Sequence, residues 1–227
     1  MCGRLTLATP DPSQIRARFP IGERLEVRRR YNVAPGDDVL AVVTTRESGP
    51  AGALLRWGLV PHWASDPREL GVTTINARAE TVAERPAYRD AFARRRCLIV
   101  ADGFYEWSGG VAHWITRQDG QLFAFAGLWA TWRPRETGGG VEPLRSCSIV
   151  TTAAQGPVRD LHDRMPVILA PDDERTWLDP RTPADDLHAL LAPVDPKLVF
   201  RPVSRAVNDA RHDDPDCLDP PEQGALF

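Results

Sequence analysis

Seven apolar runs of strand length constrain the fold of this 227-residue chain more than any other feature. Val39–Thr45, Ala53–Val60, Cys97–Ala101, Leu122–Trp132, Ser146–Thr152, Val167–Ala170 and Leu198–Val203 are rich in β-branched and aromatic residues and are bounded by Gly, Pro or Asp. Helical stretches are fewer. Pro12–Phe19 follows a capping Asp11, Pro86–Arg95 carries apolar residues at helical spacing, Pro171–Leu178 opens with Pro and three acids, and Pro183–Leu191 looks similar. Strands and helices do not alternate regularly, which argues against a doubly wound parallel sheet. The pattern predicts an α+β fold, a single domain around a mostly antiparallel, barrel-like β-sheet with flanking helices. That domain runs over residues 1–208. The polar, Pro-rich and acidic stretch 209–227 reads as a C-terminal tail, and Gly-rich Arg135–Gly140 as a hairpin tip.

Composition narrows the functional classes. Apolar content of 42% and charged content of 26% are ordinary for a globular chain. No apolar run approaches the ~20 residues of a membrane helix, and the start lacks a signal-peptide core, so no membrane partner and a cytoplasmic location are expected. The four cysteines (Cys2, Cys97, Cys147, Cys217) are scattered and match neither a disulfide framework nor paired zinc spacing, so no metal or cofactor is expected. Cys97 and Cys147 lie inside apolar runs and read as inert core thiols. The net charge is −3, with acids gathered towards the C-terminal part, which leaves the first two thirds relatively basic. A local basic groove is compatible with that distribution.

Cys2 follows the initiator Met1 directly. Methionine removal is efficient before a small residue, and it leaves an N-terminal cysteine with an α-amine and a thiol on adjacent carbons. The amine condenses with an aldehyde to an imine, and the thiol then closes a five-membered thiazolidine. An α-amine titrates near ~7.7–8.0 against ~10.4 for lysine, so at neutral pH its free-base fraction is larger by about two to three orders of magnitude. Cys2 is therefore a Schiff-base former and a nucleophile at once.

Three polar residues and a tryptophan stand in apolar or tight-turn surroundings. Asn76 lies in Thr74–Thr81. Glu106 lies among aromatics in Asp102–Trp107, at the end of the strand Cys97–Ala101, a setting that raises a carboxyl pKa by desolvation. His162 lies in Leu161–Pro166 at the entry to the strand Val167–Ala170 and has the chemistry of a proton shuttle. Trp63 closes the aromatic stretch Trp57–Trp63. Each also has a purely structural reading: a loop-capping carboxylate, a His-Asp turn pair, a left-handed Asn, packed tryptophans.

Six blocks together carry a resemblance. Met1-Cys2-Gly3-Arg4, Tyr31-Asn32-Val33-Ala34-Pro35, Trp57-Gly58-Leu59-Val60-Pro61, Asn76-Ala77-Arg78-Ala79-Glu80-Thr81, Gly103-Phe104-Tyr105-Glu106-Trp107 and His162-Asp163-Arg164-Met165-Pro166 resemble, in order, the hallmark blocks of the SRAP family. These are the SOS response-associated peptidases, understood as abasic-site processing proteins of DNA repair. The resemblance implies that Cys2, freed of Met1, forms a thiazolidine crosslink with the ring-opened aldehyde of an abasic site in single-stranded DNA. It implies that Asn76 positions the amine, that His162 assists Schiff-base formation and the β-elimination of an AP lyase, and that Glu106 serves ring closure and crosslink reversal. It further implies that Arg4, Arg78 and Arg164 hold phosphates, that Trp63 and Trp107 stack or wedge, and that the protein is nucleoid-associated. Two other classes stay open, an N-terminal-nucleophile cysteine hydrolase and a non-catalytic single-stranded DNA reader. The terminal Gln223-Gly224-Ala225-Leu226-Phe227 resembles the Gln-x-x-Leu-Phe peptides that bind bacterial sliding clamps, so a clamp contact through Gln223, Leu226 and Phe227 is a further expectation.

Overall fold

A computed structural model of the chain describes residues 2–8, 11–44, 49–67, 73–134 and 142–222. The hairpin tip at 135–140 and the clamp-like peptide at 223–227 lie outside the described residues.

Five strands close a ring. β3 (Asp38–Thr44) pairs with β4 (Pro50–Trp57) and with β6 (Arg96–Ala101); β6 pairs with β9 (Phe123–Trp132); β9 pairs with β10 (Leu144–Ala153); and β10 returns to β4. All contacts but the last are antiparallel, so the expected barrel-like, mostly antiparallel sheet is what forms. Period-two alternation sorts the side chains. Val39, Ala41, Val43, Leu55, Trp57, Cys97, Ile99, Phe123, Phe125, Cys147 and Ile149, drawn from all five strands, fill one cluster inside the ring. Leu40, Val42, Leu98, Val100, Ala124, Ala126 and Leu128 point outward.

Helices cover that outer face. Ile15 of α1 (Pro12–Arg18), Phe92 of α2 (Arg89–Arg94), Trp177 and Leu178 of α3 (Pro171–Leu178) and Leu187 of α4 (Ala184–Ala189) pack there. Asp11 caps α1 by accepting from the Ser13 amide, and Gln14 returns the bond to the Asp11 amide, so the expected cap forms with a full capping box.

A second, antiparallel sheet runs β13–β8–β7–β1–β2: Leu198–Pro202, Val111–Arg117, Gly103–Ser108, Leu5–Leu7 and Arg30–Val33. Leu5, Phe104, Ile115 and Leu198 pack from this sheet onto the cluster within the ring. Its opposite face carries a small core of Tyr105, Ala112, Val203, Val207 and Cys217.

Four of these five strands, all but β13, lay outside the seven apolar runs. Glu106, expected at the end of a strand, lies within one, β7. The chain beyond Asn208, set apart by composition, lies against β2 as far as it is described. The Asp213 carboxylate accepts from the Tyr31 and Asn32 amides at 2.6 and 2.7 Å and pairs with Arg30, and Cys217 is fully buried. Asp213 thus satisfies the backbone of an edge strand, while Asp209, Arg211, Asp214, Asp216 and Asp219 stay exposed.

Candidate active site

Asn76 sits on β5 (Asn76–Arg78), a three-residue strand that pairs in parallel with β10. Such a short strand needs outside support, and the Trp57–Pro61 block supplies it. The Trp57 indole donates to the Ile75 carbonyl at 2.9 Å, the Leu59 amide donates to the Thr74 carbonyl, and the Val60 amide donates to Ser146 Oγ at 2.8 Å. Gly58 turns the chain there with φ of 125°, a left-handed conformation that favours glycine. From this anchored strand Asn76 Nδ2 donates to the Cys2 carbonyl at 2.8 Å. Asn76 Oδ1 is buried and accepts no hydrogen bond from the described residues.

Glu106 reaches the same point from β7. Leu5 pairs with Phe104, Thr6 with Gly103, and the Tyr105 amide donates to the Arg4 carbonyl at 3.0 Å. Continuing that register brings the start of the chain alongside Glu106. Glu106 is 4% exposed. Burial is the main cause that pushes its carboxyl pKa up. Cys2 is wholly buried in the cluster that fills the ring. Burial pushes its thiol pKa far up, and the Glu106 charge adds to the rise.

His162 follows a short 3-10 turn (Gly156–Asp160), with its amide bonded to the Val158 carbonyl. The Arg164 amide donates to His162 Nδ1 at 2.9 Å, and Asp163 Oδ1 lies 2.7 Å from the same nitrogen. The first contact needs a lone pair and the second a proton. The Arg164 amide is held by β11 (Arg164–Pro166), whereas the Asp163 side chain is 84% exposed and free to turn away. The structure thus gathers Cys2, Asn76, Glu106 and His162 from four separate parts of the chain. Their separation in sequence is closed by β5–β10, β1–β7 and the wedge of residues 164–169 between β9 and β10.

The expected phosphate and stacking residues fall into different environments. Arg78 is exposed on β5, on the strand that carries Asn76. Arg164 forks onto Glu80 at 2.5 and 2.9 Å and donates to the Thr151 carbonyl at 2.7 Å; it pairs with Glu80 rather than with its neighbour Asp163. That pairing holds the Glu80 carboxyl below the usual range. Trp63 is 43% exposed, one of four large apolar side chains so open among the described residues. Trp107 lies next to Glu106 but on the other face of β7, with its indole bonded to Asn208 Oδ1 at 2.8 Å. Arg4 shares that face. Its guanidinium carbon lies 5.8 Å from the Trp107 ring centroid, and Nη1 donates to Asn32 Oδ1 at 2.8 Å and the Val207 carbonyl at 2.6 Å. Sequence reasoning gave Asn32 no role, although it stands in one of the six blocks.

Comparison with known proteins shows the family and the fold. The family model described as SOS response associated peptidase (SRAP) matches residues 1–210. The abasic site processing protein YoaM of Bacillus subtilis (strain 168) is 40% identical over 231 residues, covering 96% of this chain and 98% of the relative. The abasic site processing protein HMCES of Xenopus tropicalis is 33% identical over 73% of this chain, which spans 56% of that longer relative. A solved structure from Bacteroides thetaiotaomicron superposes with a TM-score of 0.83 over 96% of this chain and 99% of its own, at 24% identity, and shares the fold. With a family model over nearly its whole length and a relative matched from end to end, the chain belongs to the SRAP family.

Proposed function

We propose that this protein captures abasic sites in single-stranded DNA as a covalent adduct on Cys2. The observation that carries the reading is the setting of Cys2: its carbonyl is pinned by Asn76, Glu106 lies near its thiol, and His162 lies near Glu106. The names of the relatives supply the substrate class.

The reaction needs Met1 removed, by the chain itself or by an aminopeptidase. The freed amine attacks the aldehyde carbon of the ring-opened sugar, and the carbinolamine loses water to give an imine. Asn76 Oδ1 is the acceptor that orients the amine. The thiol then adds to the imine carbon and its proton passes to nitrogen, closing the thiazolidine. Glu106, with its raised pKa, is the group that delivers and recovers these protons, and the same steps run backwards reverse the crosslink. If the imine instead loses the proton on the sugar carbon next to it, the 3′-phosphate leaves and the strand is cut. His162 is the base for that lyase branch. Arg78 and Arg164 hold flanking phosphates, and Trp63 offers a stacking surface.

The thiol's environment favours this reading over a cysteine hydrolase. A hydrolase attacks with thiolate, which burial beside Glu106 suppresses. Aldehyde capture begins at the amine and uses the thiol only once the imine carbon is in place. The test is a denaturing gel of the protein with strands carrying an abasic site, an intact base, or a reduced abasic analogue without the aldehyde. Only the first should give a heat-stable shifted band, and Cys2→Ala, Cys2→Ser and an uncleaved N-terminal tag should each remove it. A band with the reduced analogue, or with the blocked N-terminus, contradicts the proposal.

A further inference from the structure

The Tyr31–Pro35 block has no part in the chemistry above, yet Asn32 within it is completely buried and makes four side-chain hydrogen bonds. Its Nδ2 shares its two hydrogens among the carbonyls of Val207, Asp209 and His212, at 3.1, 2.9 and 2.7 Å. Its Oδ1 accepts from Arg4 Nη1, which also reaches the Val207 carbonyl. One amide therefore ties the segment after β13 to the residue two places beyond Cys2. Asp213 fastens the same segment to the Tyr31 and Asn32 amides.

This linkage matters because an N-terminal nucleophile is held from one side only. In the described structure Cys2 is fixed by Asn76 at its carbonyl, and the chain behind it by the Tyr105–Arg4 backbone bond. The Arg4 side chain adds the anchor on the opposite face of β1, where it stacks over Trp107. Its nitrogen Nη1 is already committed to two protein acceptors, which is the arrangement of a fastener.

We infer that Arg4 and Asn32 form a latch through which residues 207–212 position Cys2, so that Arg4 is a positioning residue of the adduct-forming step rather than a phosphate ligand. The inference rests on the proposed function for the step it serves, but the latch itself can be read without DNA. Loss of the latch lets the amine drift from the carbon it must attack. A misplacement of about 1 Å lowers a rate by about a hundredfold, while strand affinity, set elsewhere, stays.

The experiment uses full-length wild type, Arg4→Ala, Asn32→Ala and the double variant. Hydrogen exchange is followed on the N-terminal peptide, and single-turnover adduct formation is measured at saturating abasic strand, beside affinity for intact strand over a salt series. Arg4→Ala should speed exchange in residues 2–7 and slow the saturated rate by about tenfold or more. Affinity should stay within about twofold and keep its salt slope, and the double variant should be no slower than the slower single one. If Asn32→Ala does not fold, Arg4→Ala decides alone. An unchanged saturated rate with weaker binding and a salt slope reduced by about 0.7 makes Arg4 a phosphate contact and overturns the latch. So does unchanged exchange at residues 2–7. Faster exchange in a set where even wild type forms no adduct keeps the latch and removes the proposed reaction instead.

Discussion

Glu106 shows how one residue's surroundings become measurable. Its carboxyl is nearly fully buried and its pKa is raised, first by desolvation. In the window from the ordinary carboxyl pKa up to the raised one, the native state holds a proton that the unfolded state has released. Stability contributed by this group therefore falls as pH rises through that window. Glu106→Gln should remove that fall, so the variant gains on wild type as pH increases from acid towards neutral. Paired denaturant titrations across pH check this, and parallel curves for the two proteins contradict it. The same substitution should slow adduct formation by about a hundredfold, the usual scale for a lost proton-transfer group. His162→Ala should act on the other branch, lowering strand cleavage of an abasic strand more than adduct yield. Single-turnover assays of both products, with intact-strand affinity as reference, separate the two roles; an equal loss of affinity for intact and abasic strands makes either residue structural.

At the scale of elements, the legible parts of the fold were those whose stability is local or strongly patterned. β3, β4, β6, β9 and β10 are long apolar runs, and their ring could be anticipated. α1 announces itself through Asp11 and Gln14. β5 has only Asn76, Ala77 and Arg78, and it is a strand because β10 lies beside it, not because of its own residues. β7 alternates an apolar face with Tyr105 and Trp107, so its aromatic run hides which side Glu106 takes. Site residues followed the same division. Cys2, Asn76, Glu106 and His162 stand in recognisable blocks, and so do Asn32, Arg4, Glu80 and Arg164, but the pairings were hidden: Asn32 meets Arg4 across 28 residues and Glu80 meets Arg164 across 84. No period or spacing signals such pairs. Arg96 is a further hidden joint. Buried at 3% exposure, it donates to the Phe92 and Ala93 carbonyls at the end of α2 and to the Trp177 and Asp179 carbonyls at the end of α3. One guanidinium thus caps two helices and holds both to β6. Arg96→Leu should lower unfolding stability by about 3 kcal/mol, since several buried carbonyls lose their donor. Urea denaturation measures it, and a change below about 0.5 kcal/mol rules out the joint.

The molecule is a closed ring with a second sheet folded over its filling, helices on the outside, and Cys2 buried in that filling. No helix among the described residues is long and apolar enough to cross a membrane. Two stretches near the C-terminus have separable roles in this account: residues 207–212 are proposed to serve the site through Asn32, whereas Gln223, Leu226 and Phe227 resemble a clamp-binding peptide. Deleting residues 223–227 should abolish a micromolar-class calorimetric signal with the sliding clamp of the same organism and leave adduct formation intact. Identical titrations of the full and shortened chains remove the clamp contact. The central claim is covalent capture by the first residue of the processed chain, and intact-protein mass spectrometry tests it most directly. Purified protein should show the mass of a chain without Met1. With abasic single-stranded DNA it should gain the mass of one strand less one water, on a peptide that maps to Cys2. A processed protein that keeps its free mass after incubation, or an adduct that maps to any other residue, contradicts the account.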